Sequence, residues 1–247
     1  MEVADLWAIE EGFSQAWPAL LQEHVSGWRL KAGGGVSRRT NSANPTSVSR
    51  PLVEVLPAIE SFYEAQRLPA LIRTLDFQRE NLEGVLEANG YQPEGETRTL
   101  YAPTLGDGDA SQTTIEANAS DRWIEGVTFA QGRTAKEKSI YKDHVSRVNL
   151  RSAFAQTLDS DREPVSWGYG AIDAKHLYIE SVVTRPDRRG QGHGKKMVHA
   201  LFGWARSHGV LSSVLQVQAD NEAACRFYKG LGFADELYRY RYWRQQE

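Results

Sequence analysis

The chain has 247 residues, of which 40% are hydrophobic and 25% charged, and its formal net charge is −3 at pH 7. This ordinary globular composition excludes a disordered or collagen-like chain. No window approaches the roughly 20 continuous apolar residues of a membrane-spanning helix. The single cysteine, Cys225, excludes an intrachain disulfide and a multi-cysteine metal site. The acidic N-terminal segment lacks a signal-peptide pattern, so we expect a cytoplasmic protein.

The two halves of the chain differ in charge. Residues 1–108 carry 9 basic and 15 acidic side chains, whereas residues 109–247 carry 20 and 17. An anionic ligand is therefore expected in the second half. The stretch 101–112 is rich in Pro, Gly, Asp and Ser, which predicts a linker. We expect one domain at 1–105 and another at 112–247.

The first half predicts alternating helices and strands. Apolar residues recur about every 3.6 positions from Leu6 to Leu20, which indicates a helix. Short strands or loops are expected at 27–30 and 37–44. The elements expected next are a helix near 57–67, a strand near 70–76, a helix near 80–88 and a turn at Gly90.

The second half predicts a longer series of elements. A strand near 122–129 and a long helix near 134–158 are expected first. Alternation then predicts a strand at 165–171. A hairpin turn at 173–175 and a second strand at 177–184, ended by Pro186, are expected next. A glycine-rich loop, a helix near 194–207, a strand near 212–218 and a helix near 221–230 follow. The last alternating segment, 237–243, carries three tyrosines between arginines; it is interpreted as a half-buried edge strand rather than a nucleic-acid surface.

The halves resemble each other weakly under a shift of 142 residues. The shift places Gly90-Tyr91 on Gly232-Phe233, Phe62 on Trp204 and Ile72 on Val214. The predicted helix, strand, helix and Gly-aromatic pair then coincide without a gap. Either the chain contains a structural duplication, or two common α/β patterns coincide by chance.

Residues 188–196 read Arg-Arg-Gly-Gln-Gly-His-Gly-Lys-Lys and lie between a predicted strand and a predicted helix. Glycines allow positive φ and close approach of a ligand to the backbone, and a helix N-terminus attracts anions. The segment therefore predicts a phosphate or pyrophosphate site, the alternative being a basic turn without a ligand. The spacing fits neither the Rossmann nor the Walker pattern.

Two motifs resemble the GNAT acetyltransferase superfamily. Residues 189–194, RGQGHG, are similar to its R/Q-x-x-G-x-G/A signature, and 221–233, NEAACRFYKGLGF, to its N-x-x-A-x-x-x-Y-x-x-x-G-F segment. The resemblance covers most of 112–247 and implies an α/β fold whose mixed sheet splays between strands four and five to admit acetyl-CoA. The implied cofactor-binding residues are Val182, Val183, Arg188, Arg189, Gly190, Gln191, Gly192, His193, Gly194, Lys195 and Asn221.

The resemblance also implies the reaction, which is acetyl transfer to a primary amine by direct attack on the thioester, without a metal. Tyr228 matches the tyrosine near the thioester sulfur, although a packing role is the alternative. Glu180 is the best candidate for the general base, with Glu125 and His144 as weaker ones. If the strand alternates regularly, Glu180 shares a face with Tyr178, Val182 and Thr184.

Three other predicted roles are structural or limited to the backbone. Asn221 is also a candidate helix N-cap. Cys225 is expected to be a small buried hydrophobe rather than an acyl-accepting nucleophile. His193 contributes only its backbone to the loop, since no ligand cluster for zinc accompanies it.

The first half lacks the glycine loop, and the 142-residue shift places Leu86 on Tyr228 and Arg79 on Asn221. It looks like the degenerate GNAT-like domain of some two-domain bacterial acetyltransferases, with similar patterns at 16–19, 27–28 and 39–42. The fold is thus expected to be a tandem GNAT-like one. Either this domain shapes the acceptor pocket through Arg39 or Asn41, or it is a scaffold that covers the catalytic domain.

The sequence does not identify the acceptor or the oligomeric state. A small-molecule amine is the first expectation, a protein lysine or N-terminal amine the second, and a non-catalytic acyl-CoA sensor the third. No nucleic acid and no membrane partner are expected, and a homodimer is left open.

Overall fold

The computed structural model describes residues 1–78 and 82–246, which form two compact units. Unit 1 comprises Met1–Thr99, Gln216–Cys225 and Glu236–Glu247, and unit 2 comprises Leu100–Leu215 and Arg226–Asp235. The unit boundary differs from the expected limits, 1–105 and 112–247, because two C-terminal segments group with the first half. Among the described residues, no helix is long and apolar enough to cross a membrane.

Within residues 1–78 and 82–246, unit 1 contains three α-helices and all or most of six strands. The helices are α1 (Val3–Ala16), α2 (Leu52–Ala65) and α3 (Leu82–Ala88). The strands are β1 (Leu21–Val25), β2 (Trp28–Ala32), β3 (Ala43–Asn44), β4 (Leu71–Leu75), β5 (Tyr91–Ala102) and β11 (Asp235–Gln245). Their order in the sheet is β1-β2-β3-β4-β11-β5. Residues 80 and 81 of the helix predicted near 80–88 lie outside the described residues.

The hydrophobic pattern of the first half is confirmed with one correction. Leu6, Ile9 and Phe13 of α1 are buried at helical spacing. Helix α2 begins at Leu52, five residues before the predicted start. Pro51 is the N-cap residue of the helix, and Pro57 lies inside it.

Strand β11 is an interior strand of unit 1, so the prediction of an edge strand is wrong. It pairs antiparallel with β4, from Tyr240 opposite Leu75 to Arg244 opposite Leu71, and has β5 on its other side. Trp243 packs in the core of the unit and donates a 3.1 Å hydrogen bond to Thr74 Oγ1. This burial explains why the end of the chain groups with the first half.

The two faces of β11 differ in chemistry. The side chains of Tyr238, Tyr240 and Tyr242 are buried. On the other face, Arg239 and Arg241 lie 2.6 and 3.2 Å from Glu96. Because carboxylates neutralise these arginines, the face does not present the basic surface that a nucleic acid needs.

Unit 2 contains three complete helices and four complete strands, and four further elements, β5, β10, β11 and α7, have residues in both units. The helices are α4 (Asp121–Ala130), α5 (Ala135–Val145), α6 (His193–Ser207) and α7 (Glu222–Lys229). The strands are β6 (Thr113–Glu116), β7 (Arg151–Leu158), β8 (Pro164–Ile172), β9 (His176–Thr184) and β10 (Ser212–Gln218). In the order β10-β9-β8-β7-β6, only β10 and β9 are parallel, so the sheet is mixed as predicted.

The start of unit 2 corrects two predictions. The expected strand near 122–129 is the helix α4, whose buried Trp123, Ile124 and Val127 follow helical spacing and whose N-cap is Ser120. The expected helix near 134–158 ends at Val145 and is followed by β7. Strand β7 is buried on both faces and therefore shows no clear alternation.

The expected internal repeat of elements is confirmed. Shifted by 142 residues, α2 and β4 fall on α6 and β10, and α3 and β5 fall on α7 and β11. After the shift, the first residues of the two elements in each pair lie within two positions of each other. The agreement of four consecutive elements favours duplication over chance.

Candidate functional site

The glycine loop joins the end of β9 to α6 in unit 2. Gly190 and Gly192 have φ values of 74° and 83°, and Gly192 is the N-cap of α6. A Cβ atom on either glycine would meet nothing within 4 Å, so glycine is required by the backbone conformation rather than by packing. The space over the loop is therefore open to a ligand.

Gly194 has a different role in the same loop. A Cβ atom there would lie 3.2 Å from Thr184 Oγ1 and 3.5 Å from the Phe227 ring. Gly194 thus lets the first turn of α6 approach the end of β9 and the ring next to Tyr228. The loop, the strand end and α7 converge at this point.

The first turn of α6 offers main-chain N–H donors. The first bond of the helix runs from the Lys196 N–H to the Gly192 carbonyl, at 3.1 Å. The amides of His193, Gly194 and Lys195 precede that bond, so they have no partner within the helix. Three such amides at the positive end of a helix dipole form an anion-binding arrangement.

The basic side chains of the loop differ in whether they have an ion-pair or hydrogen-bond partner. Arg188 lies 3.4 Å from Asp159, and Arg189 Nε donates to the Thr184 carbonyl at 3.3 Å. Lys196 is paired with Asp109 at 3.1 Å. The ammonium of Lys195 is exposed and makes no ion pair within residues 1–78 and 82–246.

The end of β9 departs from regular alternation. Tyr169 of β8 faces Glu180, whereas Trp167 faces Val183, so β9 contains one extra residue in a bulge at Ser181 and Val182. Ser181 has a φ of 57°. Because the bulge reverses the alternation, Glu180 shares a face with Val183, and the expected sharing with Val182 and Thr184 is wrong.

The bulged end of β9 extends beyond its pairing with β10. That ladder runs from Ser212 opposite His176 to Leu215 opposite Ile179, while β9 continues to Thr184. Val182 and Val183 are only half buried. This strand end therefore offers main-chain groups beside the loop, as the implied splay requires.

Glu180 lies in the interior of unit 2. It is 4% exposed and lies across the sheet from the fully buried Tyr169. The weaker base candidates lie elsewhere: Glu125 is exposed and paired with Lys138 at 2.5 Å, and His144 is buried on α5. Of the three, only Glu180 lies on the strand that leads to the loop.

Tyr228 is half buried in unit 2, with ring centroids 5.1 Å from Phe227 and 5.9 Å from Phe233. Asn221 belongs to unit 1, and its Oδ1 accepts the Ala224 N–H at 3.1 Å, so its predicted capping role is confirmed. Its contact with a cofactor remains a prediction. Cys225 is half buried, and its thiol lies 3.8 Å from the Gln218 carbonyl.

A cleft of about 530 Å³, which was not predicted, lies beside the loop in unit 2. One wall is the linker segment 106–109, and the other carries Lys195, Lys196 and His199 of α6. Burial lowers the pKa of His199. The Gly-Asp-Gly-Asp run of the linker and the basic start of α6 are the sequence signals that indicate a polar cleft here.

In unit 1, the two residues proposed for acceptor binding differ in role. Asn41 Oδ1 accepts the N–H groups of Gly33 and Gly35 at 2.8 and 2.9 Å, which fixes a loop. Arg39 lines a cavity, donates to Gln216 Oε1 at 3.4 Å and lies over the Trp17 ring. Asn41 is thus a structural residue, and Arg39 faces a space that could hold a ligand.

Comparison with known proteins assigns the family. Residues 3–243 match the family described as "Probable histone acetyltransferase Rv0428c C-terminal". The Bacillus subtilis protein named uncharacterized N-acetyltransferase YobR is 26% identical over an alignment of 239 residues that covers 93% of this chain and 95% of YobR.

Two solved structures show the same fold. A GCN5-related N-acetyltransferase from Kribbella flavida has a TM-score of 0.72 at 17% identity, covering 100% of this chain and 97% of that one. A tandem GNAT protein from the clavulanic acid biosynthesis pathway has a TM-score of 0.67 at 12% identity, covering 88% and 77%. With the family match, they establish that this chain belongs to the family of the Rv0428c C-terminal region and is a GNAT-type N-acetyltransferase.

Proposed function

We propose that the enzyme transfers an acetyl group from acetyl-CoA to a primary amine by direct attack on the thioester. The observation that carries the proposal is the convergence of the glycine loop, the bulged end of β9 and α7 in unit 2. This arrangement combines an anion-binding helix start with exposed main-chain groups of a strand. A phosphate-bearing molecule with an extended amide arm fits both features.

The chain's residues fit acetyl-CoA in two places. The amides of the loop and the side chains of Arg188, Arg189 and Lys195 would hold the pyrophosphate. The main chain at Val182 and Val183 would pair with the pantetheine arm. When bound, acetyl-CoA supplies an activated acyl group as a thioester.

Glu180 and Tyr228 would move the two protons of the reaction. An amine with a pKa of about 10.4 needs about 4–5 kcal/mol to lose its proton at pH 7. Glu180, directly or through a water, would accept this proton as the nitrogen bonds to the acyl carbon. As the carbon–sulfur bond breaks, Tyr228 would donate its hydroxyl proton to the sulfur, and a β9 amide would stabilise the acyl oxygen.

Gly192→Val is expected to weaken acetyl-CoA binding at least tenfold in isothermal titration calorimetry. A β-branched residue at a φ of 83° strains the N-cap backbone and places methyl groups over the open loop. Gly209→Val is the matched control, because Gly209 has a φ of 79° and open surroundings at the other end of α6. Wild-type affinity in Gly192→Val would contradict the site assignment.

A protein amine is the second candidate acceptor. It is favoured by the family description, which names a probable histone acetyltransferase, and by the excess of six acidic side chains in residues 1–108. A basic protein would complement this charge.

Incubating a cell lysate with the enzyme and isotope-labelled acetyl-CoA distinguishes the two acceptors. Labelled lysines or N-termini, found by mass spectrometry with wild type and absent with Gly192→Val, would support the protein acceptor. Label confined to small molecules would support the first candidate.

A further inference from the structure

Unit 1 contains a cavity of about 350 Å³ that the proposed reaction does not use. It is lined by α1, β2, β4 and the segment 44–47, together with Arg39 and Gln216. Its volume lies within the range of small-molecule sites. All of its lining residues belong to unit 1.

Two ion pairs neutralise the carboxylates of the cavity. Arg73 forms a bidentate pair with Glu10, with Nη2 at 2.9 Å from Oε1. Arg29 pairs with Glu11. Burial acts to raise the pKa of the Glu10 carboxyl, but Arg73 and the Tyr238 hydroxyl hold it below its ordinary value. Both carboxylates are therefore ionised and matched by arginine.

Lys31 adds a buried basic group beyond these pairs. Its side chain is on β2, it is 5% exposed, and it makes no ion pair among the residues described here. Burial, followed by the charges of Arg29 and Arg73, lowers the pKa of Lys31 to about 7. Arg39 also lowers the pKa of Lys31, whereas the carboxylate of Glu10 raises it. An anion next to Lys31 would relieve this destabilisation.

The cavity also has an aromatic wall, and Arg39 adds a further cation to its lining. Trp7, Phe13 and Trp17 line the α1 side. Cationic and aromatic groups thus face the same space.

We propose that this cavity binds a small organic monocarboxylate, with its carboxylate beside Lys31 and its organic part against the tryptophans. A single negative charge matches the ammonium of Lys31, which makes no ion pair within residues 1–78 and 82–246. A phosphate dianion is disfavoured because burying a second charge costs desolvation energy. The site is a separate binding site and does not depend on the proposed acetyl transfer.

Phenylacetate is a suitable probe, because it combines one carboxylate with one aromatic ring. We expect it to bind to the protein without acetyl-CoA and to change tryptophan fluorescence. The neutral analogue 2-phenylethanol should bind at least tenfold more weakly. Lys31→Met should weaken phenylacetate about ten- to hundredfold, the range for a charge-assisted hydrogen bond. Lys138→Met, which removes an exposed lysine of unit 2, should leave the affinity unchanged.

Proton uptake on binding distinguishes direct contact between Lys31 and the carboxylate from a merely structural role of Lys31, which would cause no uptake. At pH 8 the free Lys31 amine is mostly neutral, and carboxylate binding should protonate it. Calorimetry in two buffers of different ionisation enthalpy should show uptake approaching one proton with wild type and none with Lys31→Met. Affinity should fall as the pH rises above 7.

Three results would overturn the proposal. They are no binding of phenylacetate to wild type, equal affinity for 2-phenylethanol, and tighter binding of inorganic phosphate. Binding without proton uptake would also contradict the placement of the carboxylate beside Lys31. Because wild type alone decides these outcomes, they stand even if Lys31→Met does not fold.

Discussion

Arg73→Met is expected to lower the free energy of unfolding by about 3–5 kcal/mol, because it leaves the buried Glu10 carboxylate without its cation. Arg73 is 5% exposed, donates twice to Glu10 and has its guanidinium carbon 3.6 Å from the centroid of the Tyr240 ring. Tyr238 also donates to Glu10, but a neutral hydroxyl does not replace a charge. Chemical denaturation at pH 7 measures the change.

Two further variants identify the cause of this destabilisation. Adding Glu10→Gln to Arg73→Met should restore much of the lost stability, because the carboxylate that lost its cation is then removed as well. Arg50→Met removes an exposed arginine from its i,i+4 pair with Glu54 and should cost less than about 1 kcal/mol. The structure indicates that the Arg73–Glu10 pair is shielded from water. If Arg73→Met lowers the free energy of unfolding no more than Arg50→Met does, that indication is wrong.

Glu180→Gln and Tyr228→Phe are each expected to reduce kcat about a hundredfold or more, with little change in the KM for acetyl-CoA. Both substitutions keep the shape of the side chain and remove one proton transfer. Steady-state kinetics with a responsive amine give both constants. Glu125→Gln is the control for Glu180, since Glu125 is an exposed carboxylate of the same unit and the weaker base candidate.

The pH dependence separates the two roles. The defect of Glu180→Gln should shrink as the pH approaches the pKa of the amine, because the acceptor then loses its proton without help. The defect of Tyr228→Phe should persist there. If the loss of kcat in Glu180→Gln does not change with pH, Glu180 is not the base. The same conclusion follows if Glu125→Gln loses more kcat than Glu180→Gln.

Local patterns predicted the elements around the loop well. Alternation predicted β8, the turn and Pro186 delimited β9, and strand β10 was predicted at its observed limits, 212–218. Asp173 Oδ1 accepts the N–H groups of Lys175 and His176, which forms the predicted turn. These features depend on neighbours in the sequence, and their residues carry the signal directly.

Features that depend on distant residues escaped prediction. The bulge at Ser181 comes from one extra residue relative to β8, which alternation of a single strand does not reveal. Strand β11 is interior because it pairs with β4, which lies far away in the sequence. Glu10, Lys31 and Arg73 form no motif, so only folding of unit 1 brings these residues to one cavity.

Release of CoA from acetyl-CoA across a panel of amines tests the central claim most directly. The panel holds polyamines, amino acids, aminoglycosides and peptides, and Cys225→Ala serves as the background to remove the protein thiol. We predict that release requires one class of amine, yields the acetylated amine in equal amount, and falls sharply with Tyr228→Phe. Release that is independent of any amine, or unchanged in Tyr228→Phe, would contradict direct transfer assisted by this site.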